Sequence, residues 1–260
     1  MAKRRLDTLL AERGLYESRS RAAAAVIAGD VSVAGRPATK PGELVADEAD
    51  VAVAEAPPYV SRGGVKLANA LDALGVDPAG RRTLDVGAST GGFTDVLLQR
   101  GAESVIALDV AYGELHWRLR NDERVTVIER RNARLLEPGE LPYEPDLIVV
   151  DVSFISLTKV LPAVVGAAAG RFDLLAMVKP QFELGKGRAK AGVVREAADR
   201  REALLAVAGA ASDLGLGVRA FASSELPGPK GNRETFVWCA ASEDGLDPDA
   251  VEAAALEVEP

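Results

Sequence analysis

Two lysines and two carboxylates, Lys66, Asp151, Lys179 and Glu234, are spaced to meet along one rim of a folded sheet. Asp151 closes the apolar run LIVVD and Lys179 closes LLAMVK. Both therefore fall at the carboxyl ends of parallel strands, where sheets of this kind hold ligands. Glu234 precedes TFVWCA. Only a short loop separates that run from the strand before it, so it runs antiparallel and its first residues reach the same rim. Lys66 lies near the start of the helix SRGGVKLANALDALG and can swing over the rim. A lysine serves as a base only when desolvation or a neighbouring cation favours its neutral form. Lys66 beside Lys179 supplies such a cation. The set suits removal of a proton from a weakly acidic hydroxyl, with Lys179 as base, Asp151 orienting it, and Lys66 and Glu234 positioning the hydroxyl. The competing reading is a set of surface ion pairs with no part in chemistry.

The stretch Leu84 to Val110, LDVGASTGGFTDVLLQRGAESVIALDV, supplies the other half of a reaction. It reads as strand, glycine-rich turn, helix and second strand ending on Asp109. Glycines permit a sharp turn and close approach of a ligand, and an acid about 20 residues on can hold ribose hydroxyls. The turn is not the dinucleotide pattern, because Ala88 and Ser89 break it. Asp85, two residues before Gly87, suits a cationic cofactor better than a dinucleotide and points to S-adenosylmethionine. The expected cofactor-binding residues are Asp85, Gly87, Ala88, Ser89, Gly91, Gly92, Phe93 and Asp109. With a sulfonium methyl already electrophilic, the protein's tasks reduce to alignment and proton removal.

The elements that must carry these residues alternate strand and helix from about Thr83 onward, as in a doubly wound α/β sheet. Seven strands are expected: Thr83 to Val86, Ser104 to Asp109, Val125 to Glu129, Leu147 to Val152, Leu174 to Lys179, Val218 to Ser223 and Thr235 to Ala240. A smaller α+β segment precedes them, covering residues 1–55. It holds a helix from Arg4 to Glu12, a second capped by Ser18 and closed by Gly29, and short strands in VSVAG and LVADEADVAV. Residues 56–60 read as a linker, 61–242 as the catalytic domain and 243–260 as an acidic tail, a solvated end with at most a short helix.

Composition narrows the chemistry. His116 is the only histidine and Cys239 the only cysteine, which leaves no disulfide framework and makes a metal site improbable. Neither a signal peptide nor an apolar run of membrane length is apparent, so a cytoplasmic protein without a membrane partner is expected. The net charge of −8 seems wrong for a nucleic-acid protein. Seven acids and no base fall between Glu243 and the end, however, while Met1 to Lys40 carries eight bases against four acids. Local basic patches matter more than the total. Arg4, Arg5, Arg19, Arg21 and Lys40 are expected to track RNA phosphates, joined by Arg188 and Lys190 of the GKGRAKAG loop. A solvated charged face is the alternative. Phe154 and Phe182, just after the catalytic strand ends, are candidates to stack on an unstacked base.

Nearly end to end, the chain resembles the TlyA, or hemolysin A-like, family of ribosomal RNA 2′-O-methyltransferases. The resemblance rests on RLDTLLAERGL, SRSRAAAAVIAGDV, VSRGGVKL, DVGASTGGFTDVLLQRGA, LDVAYGELHWRLRNDERV, ERRNARLL, VDVSFISLTKVLP, VKPQFELGKG and LPGPKGNRETFVW. It implies an S4-type RNA-binding domain followed by an FtsJ-like domain with a Rossmann-like class I methyltransferase sheet. It also implies a Lys-Asp-Lys-Glu tetrad falling on Lys66, Asp151, Lys179 and Glu234. Family cofactor contacts fall on the Gly87 to Phe93 turn, Asp109 and Asn132. The implied reaction is S-adenosylmethionine-dependent methylation of a cytidine ribose in 23S ribosomal RNA, in some members 16S as well. Where a well-known branch has Arg and Trp before VSRG, this chain has Pro57, Pro58 and Tyr59, which stiffens the linker. A non-catalytic ribosome-binding or assembly factor with the same fold is the main alternative. The sequence leaves the oligomeric state open, a monomer being compatible with it.

Overall fold

The computed structural model describes residues 3–53, 58–185, 187–189, 192–228, 230–242 and 244–259. It divides into two compact units, Met1–Pro57 and Pro58–Pro260. In the first, β1 (Lys3–Arg5) pairs antiparallel with β4 (Leu44–Ala46), while β2 (Val31–Val33) lies between β3 (Arg36–Pro37) and β5 (Val51–Val53). Helices α1 (Leu6–Glu12) and α2 (Arg19–Ala28) bury Leu6, Leu9, Leu10 and Val26 against Val31 and Val45. Ser18 caps α2, accepting the Arg21 amide at 3.2 Å. The helix expected from Arg4 begins only at Leu6, because the apolar period starts there. Arg4 and Arg5 instead lie in a strand, in register with Val45 and Leu44.

The second unit opens with α3 (Arg62–Leu74), β6 (Arg82–Val86), α4 (Gly92–Gln99), β7 (Ser104–Leu108), α5 (Trp117–Arg120) and β8 (Val125–Ile128). It continues through β9 (Leu147–Val150), α6 (Leu161–Gly166), β10 (Asp173–Val178), α7 (Pro180–Glu183), α8 (Ala197–Asp213), β11 (Gly217–Ser223), β12 (Thr235–Ala240) and α9 (Pro248–Val258). The seven strands form one sheet in the order β11-β12-β10-β9-β6-β7-β8, with only β12 reversed. All four residues of β9 are buried, as expected of a central parallel strand covered on both faces. Alternate residues feed two cores. Leu84, Ile106, Ile148 and Val237 share one core with residues of α6 and α8, whereas Val105, Val149 and Phe236 share the other with residues of α3 and α4.

Because β6 sends the chain outward to β7 and β8 before β9 returns on its other side, the order reverses between β6 and β9. A crevice forms at such a switch point, outside the carboxyl ends of the strands. The acidic tail departs from its expected form. Most of it is α9, which packs on α8 and β11 and buries Ala255 and Glu259. Its alanines supply an apolar stripe that the count of acids had masked, and Asp247 caps it by accepting the Ala250 amide at 2.8 Å.

Candidate active site

The turn after β6 shows why glycine is required at its first position. Gly87 has φ of +88°, and a Cβ there would lie 2.3 Å from the backbone oxygen of Asp151, the residue that follows β9. The two strands at the switch point therefore touch through bare backbone, and any side chain would pry them apart. Asp109, the residue after β7, holds the turn from the other side. Its carboxylate accepts the Ser89 amide and the Ala111 amide, each at 2.7 Å.

Two cavities open around this turn and share Gly87, Ser89, Asp151, Ser153 and Phe154. The smaller, about 350 Å³, is lined by Asp109, Asn132, Glu114 and Arg131. The larger, about 740 Å³, is lined by Ala88, Gly92 and Phe93 of the turn and by Lys66, Asp151, Lys179 and Glu234. Within it the four residues form two ion pairs. Lys66 of α3 meets Glu234, and Lys179 Nζ lies 2.5 Å from Asp151 Oδ1. Lys179 also donates to Ser153 Oγ at 2.9 Å. Lys66 is 8% exposed and Glu234 3%, so their charges are compensated almost entirely by each other. Gly228 leaves room for the Glu234 carboxylate, because a Cβ there would lie 2.5 Å from Oε1.

Not every expected cofactor residue reaches the cavities. Gly91, with φ of +96°, faces Leu115 and Leu119 instead and ends the turn at the N-cap of α4. Asp85 is fully buried and lines neither cavity. Direct contact with a cofactor is therefore not its part. Its Oδ2 accepts the Thr94 amide at 2.9 Å and hydroxyl at 2.7 Å, anchoring the first turn of α4, while Oδ1 has no partner. Burial pushes its carboxyl up to about 7, helped by the charges of Asp151 and Asp109 and opposed by the two Thr94 bonds. His116, the only histidine, lines neither cavity; it caps α5 by accepting the Arg118 amide at 3.2 Å.

Several polar side chains at or beside the site went unflagged in the sequence. Ser153 and Asn232 line the large cavity. Asn232 joins its walls, accepting the Val194 amide at 2.9 Å and donating to Gly192 O at 2.8 Å. Glu183 ties the loop after β9 to α7 by accepting from Ser156 Oγ and the Leu157 amide, and burial raises its carboxyl. Arg62 lines the cavity mouth and donates to Pro227 O at 3.2 Å. Only Ser153 carried a signal, since it stands two residues beyond the acid that ends β9. Phe154, with φ of +64°, is 91% exposed at the junction of both cavities, its ring 5.2 Å from that of Phe182.

The expected RNA-binding residues are held by acids. Arg4 pairs with Glu12 and Asp47, and Arg5 and Arg19 both reach the buried Asp7. Arg21 lies 4.0 Å from Glu17. Arg188 pairs with Asp199 and Glu202 of α8, which raises its already high pKa. Lys40 alone of the first-unit set has no carboxylate within ion-pair distance among the described residues. Lys190 lies outside the described residues, as do Ala56 and Pro57 of the linker. Of the remaining linker, Pro58 O accepts from Gln99 at 2.9 Å and the Val60 amide donates to Asp95 at 2.9 Å, fastening it to α4.

Comparison with known proteins bears on this arrangement directly. Residues 59–241 match the FtsJ-like methyltransferase model and residues 4–51 the S4 domain. A Mycobacterium tuberculosis protein named 16S/23S rRNA (cytidine-2′-O)-methyltransferase TlyA is 50% identical over 270 residues, covering 99% of each chain. Hemolysin A of Brachyspira hyodysenteriae is 38% identical over 88% of this chain and 97% of its own. Among the described residues, no helix is long and apolar enough to cross a membrane. A solved structure from Streptococcus thermophilus, described as a candidate hemolysin, superposes with a TM-score of 0.75 at 37% identity. It covers 99% of this chain and 96% of that one. The chain belongs to the FtsJ-like methyltransferases, in the TlyA branch that joins this domain to an N-terminal S4 domain.

Proposed function

We propose that the protein methylates the ribose 2′-hydroxyl of a cytidine in ribosomal RNA, with 23S the substrate and 16S a second candidate, using S-adenosylmethionine. The observation that carries this reading is the convergence of the Lys66–Glu234 and Lys179–Asp151 pairs on one cavity beside the Gly87 turn. The residues fit the cofactor. Gly87 leaves bare backbone at the switch point, and Asp109 and Asn132 line the nucleoside-sized cavity. When bound, the cofactor supplies a methyl group on a positively charged sulfur. Gly87, Ala88, Ser89, Gly92 and Phe93 hold it by backbone and shape, while Asp85 and Gly91 shape the turn from behind.

Lys179 Nζ is the base that takes up the hydroxyl proton, Asp151 and Ser153 aim it, and Lys66 with Glu234 fixes the ribose. Phe154, exposed at the cavity mouth, is placed to stack on the target base. The first unit, through Arg4, Arg5, Arg19, Arg21 and Lys40, grips phosphates, and Arg188 and Lys190 of the GKGRAKAG loop add to that grip. Exposed ion pairs such as Arg4–Glu12 contribute little in water, so phosphates can displace the acids. The domain limits 1–55 and 61–242, the five-residue linker between them and a cytoplasmic site of action belong to the same reading.

The test is transfer of labelled methyl from S-adenosylmethionine to unmodified ribosomal subunits and naked ribosomal RNA, with Lys179→Ala alongside. Label in 2′-O-methylcytidine, lost in the variant while cofactor binding persists, is the expected result. Full transfer by Lys179→Ala would remove that lysine from the mechanism. Absence of label from both RNAs, with cofactor bound, would refute the substrate.

A further inference from the structure

The start of β12 carries Glu234 on one face of the sheet and Thr235 on the other, because successive side chains alternate. On the face away from Lys66, Thr235 Oγ1 donates to Glu259 Oε1 at 3.1 Å. Glu259 follows α9 and is 2% exposed. Its second oxygen accepts Arg200 Nε at 2.7 Å, and its backbone oxygen accepts from Arg201 at 2.7 Å. Arg233, the residue before Glu234, approaches the same carboxylate at 3.8 Å. Both sequence neighbours of Glu234 are thus drawn to one buried acid. Arg200 also donates to Arg195 O at 2.6 Å, in the segment whose Val194 is bonded to Asn232 of the cavity wall.

We infer that Glu259 is a positioning residue for the reaction. Through Thr235 it fixes the first residue of β12, and hence the Glu234 carboxylate that holds Lys66, while through Arg200 it secures the cavity wall opposite. The mechanism places no demand on a buried ion pair here, and a helix end needs no carboxylate aimed at a hydroxyl on a catalytic strand. A contact from the far face sets the Glu234 backbone without entering the cavity, so it governs alignment and leaves binding groups in place. The inference rests on the proposed role of Glu234 in methyl transfer.

The experiment uses the full chain with S-adenosylmethionine and unmethylated ribosomal RNA or subunits, comparing Thr235→Val, Thr235→Ser, Glu259→Gln and Glu234→Gln. Glu259→Gln leaves Arg200 buried without its charge partner, and its folding is checked by thermal unfolding. Thr235→Val keeps the Arg200–Glu259 pair and cuts only the link to β12. Misplacing a reacting group by a fraction of an ångström lowers turnover rather than affinity, so Thr235→Val should lose roughly tenfold in kcat. KM for both substrates and the unfolding temperature should stay near the wild-type values, and Thr235→Ser, which keeps the hydroxyl, should restore kcat. A merely structural threonine would lower the unfolding temperature without this split. Wild-type kcat in Thr235→Val, with Glu234→Gln inactive, overturns the inference alone. Full activity in Glu234→Gln overturns the tetrad reading and this inference with it.

Discussion

Replacing Asp85 by Asn should remove the contribution of this carboxyl to the pH dependence of stability. The folded protein pushes the group up from 3.8 to about 7, chiefly through burial. In the unfolded chain the carboxyl ionises near its ordinary value, so between these limits the folded state binds more protons. The contribution of Asp85 to stability is therefore greatest below the lower value and declines as pH rises, levelling off above about 7. The shift from 3.8 to about 7 is about 3 units, or about 4 kcal/mol at 1.36 kcal/mol per unit. About 2 kcal/mol of that should be lost between pH 5 and pH 7. In Asp85→Asn the amide oxygen keeps the Thr94 bonds while its nitrogen meets the site where Oδ1 already lacks a partner. That adds a cost of about 1–3 kcal/mol, constant with pH.

Urea unfolding followed by tryptophan fluorescence isolates the relevant unit, since Trp117 and Trp238 are the only tryptophans and both lie in it. The difference in unfolding free energy between wild type and Asp85→Asn should shift in favour of the variant from pH 5 to pH 7. A difference that stays constant across that range would refute the burial argument, whatever its absolute size.

Three further outcomes are expected. Gly87→Ala forces a side chain into a positive-φ position and against Asp151 O at 2.3 Å, a strain of at least ~1–3 kcal/mol. Calorimetric titration should show S-adenosylmethionine binding weakened more than tenfold, and undiminished affinity would contradict the close approach. Removing residues 1–57 should leave cofactor binding intact while weakening RNA affinity and flattening its dependence on salt. An unchanged salt slope would dismiss the phosphate grip. Burial pushes the Cys239 thiol up to about 12, so a thiol reagent at pH 8 should label it only after unfolding. Rapid labelling of the native protein would count against its burial.

What the sequence determined by itself was local. An apolar run ending in an acid or lysine announces a strand end, and glycines at fixed spacing announce a turn. Asp109, Asp151, Lys179 and the Gly87 turn were therefore legible, as was the reversed last strand from its short loop. The sheet order brought them to one crevice without long-range information beyond the alternation of strand and helix. Partnerships were a different matter. Lys66 meets Glu234 across 168 positions, and Arg5 and Arg19 turn to Asp7 instead of projecting freely. Asp85 sits behind the turn because the first turn of α4 needs an acceptor more than the cavity needs a charge. The acidic tail became a packed helix whose Glu259 reaches the strand start, since a carboxylate's solvation depends on which cations the fold leaves beside it. Residue types and periods are written in the chain, but burial and charge pairing exist only once distant segments are in contact, and tertiary structure decides them.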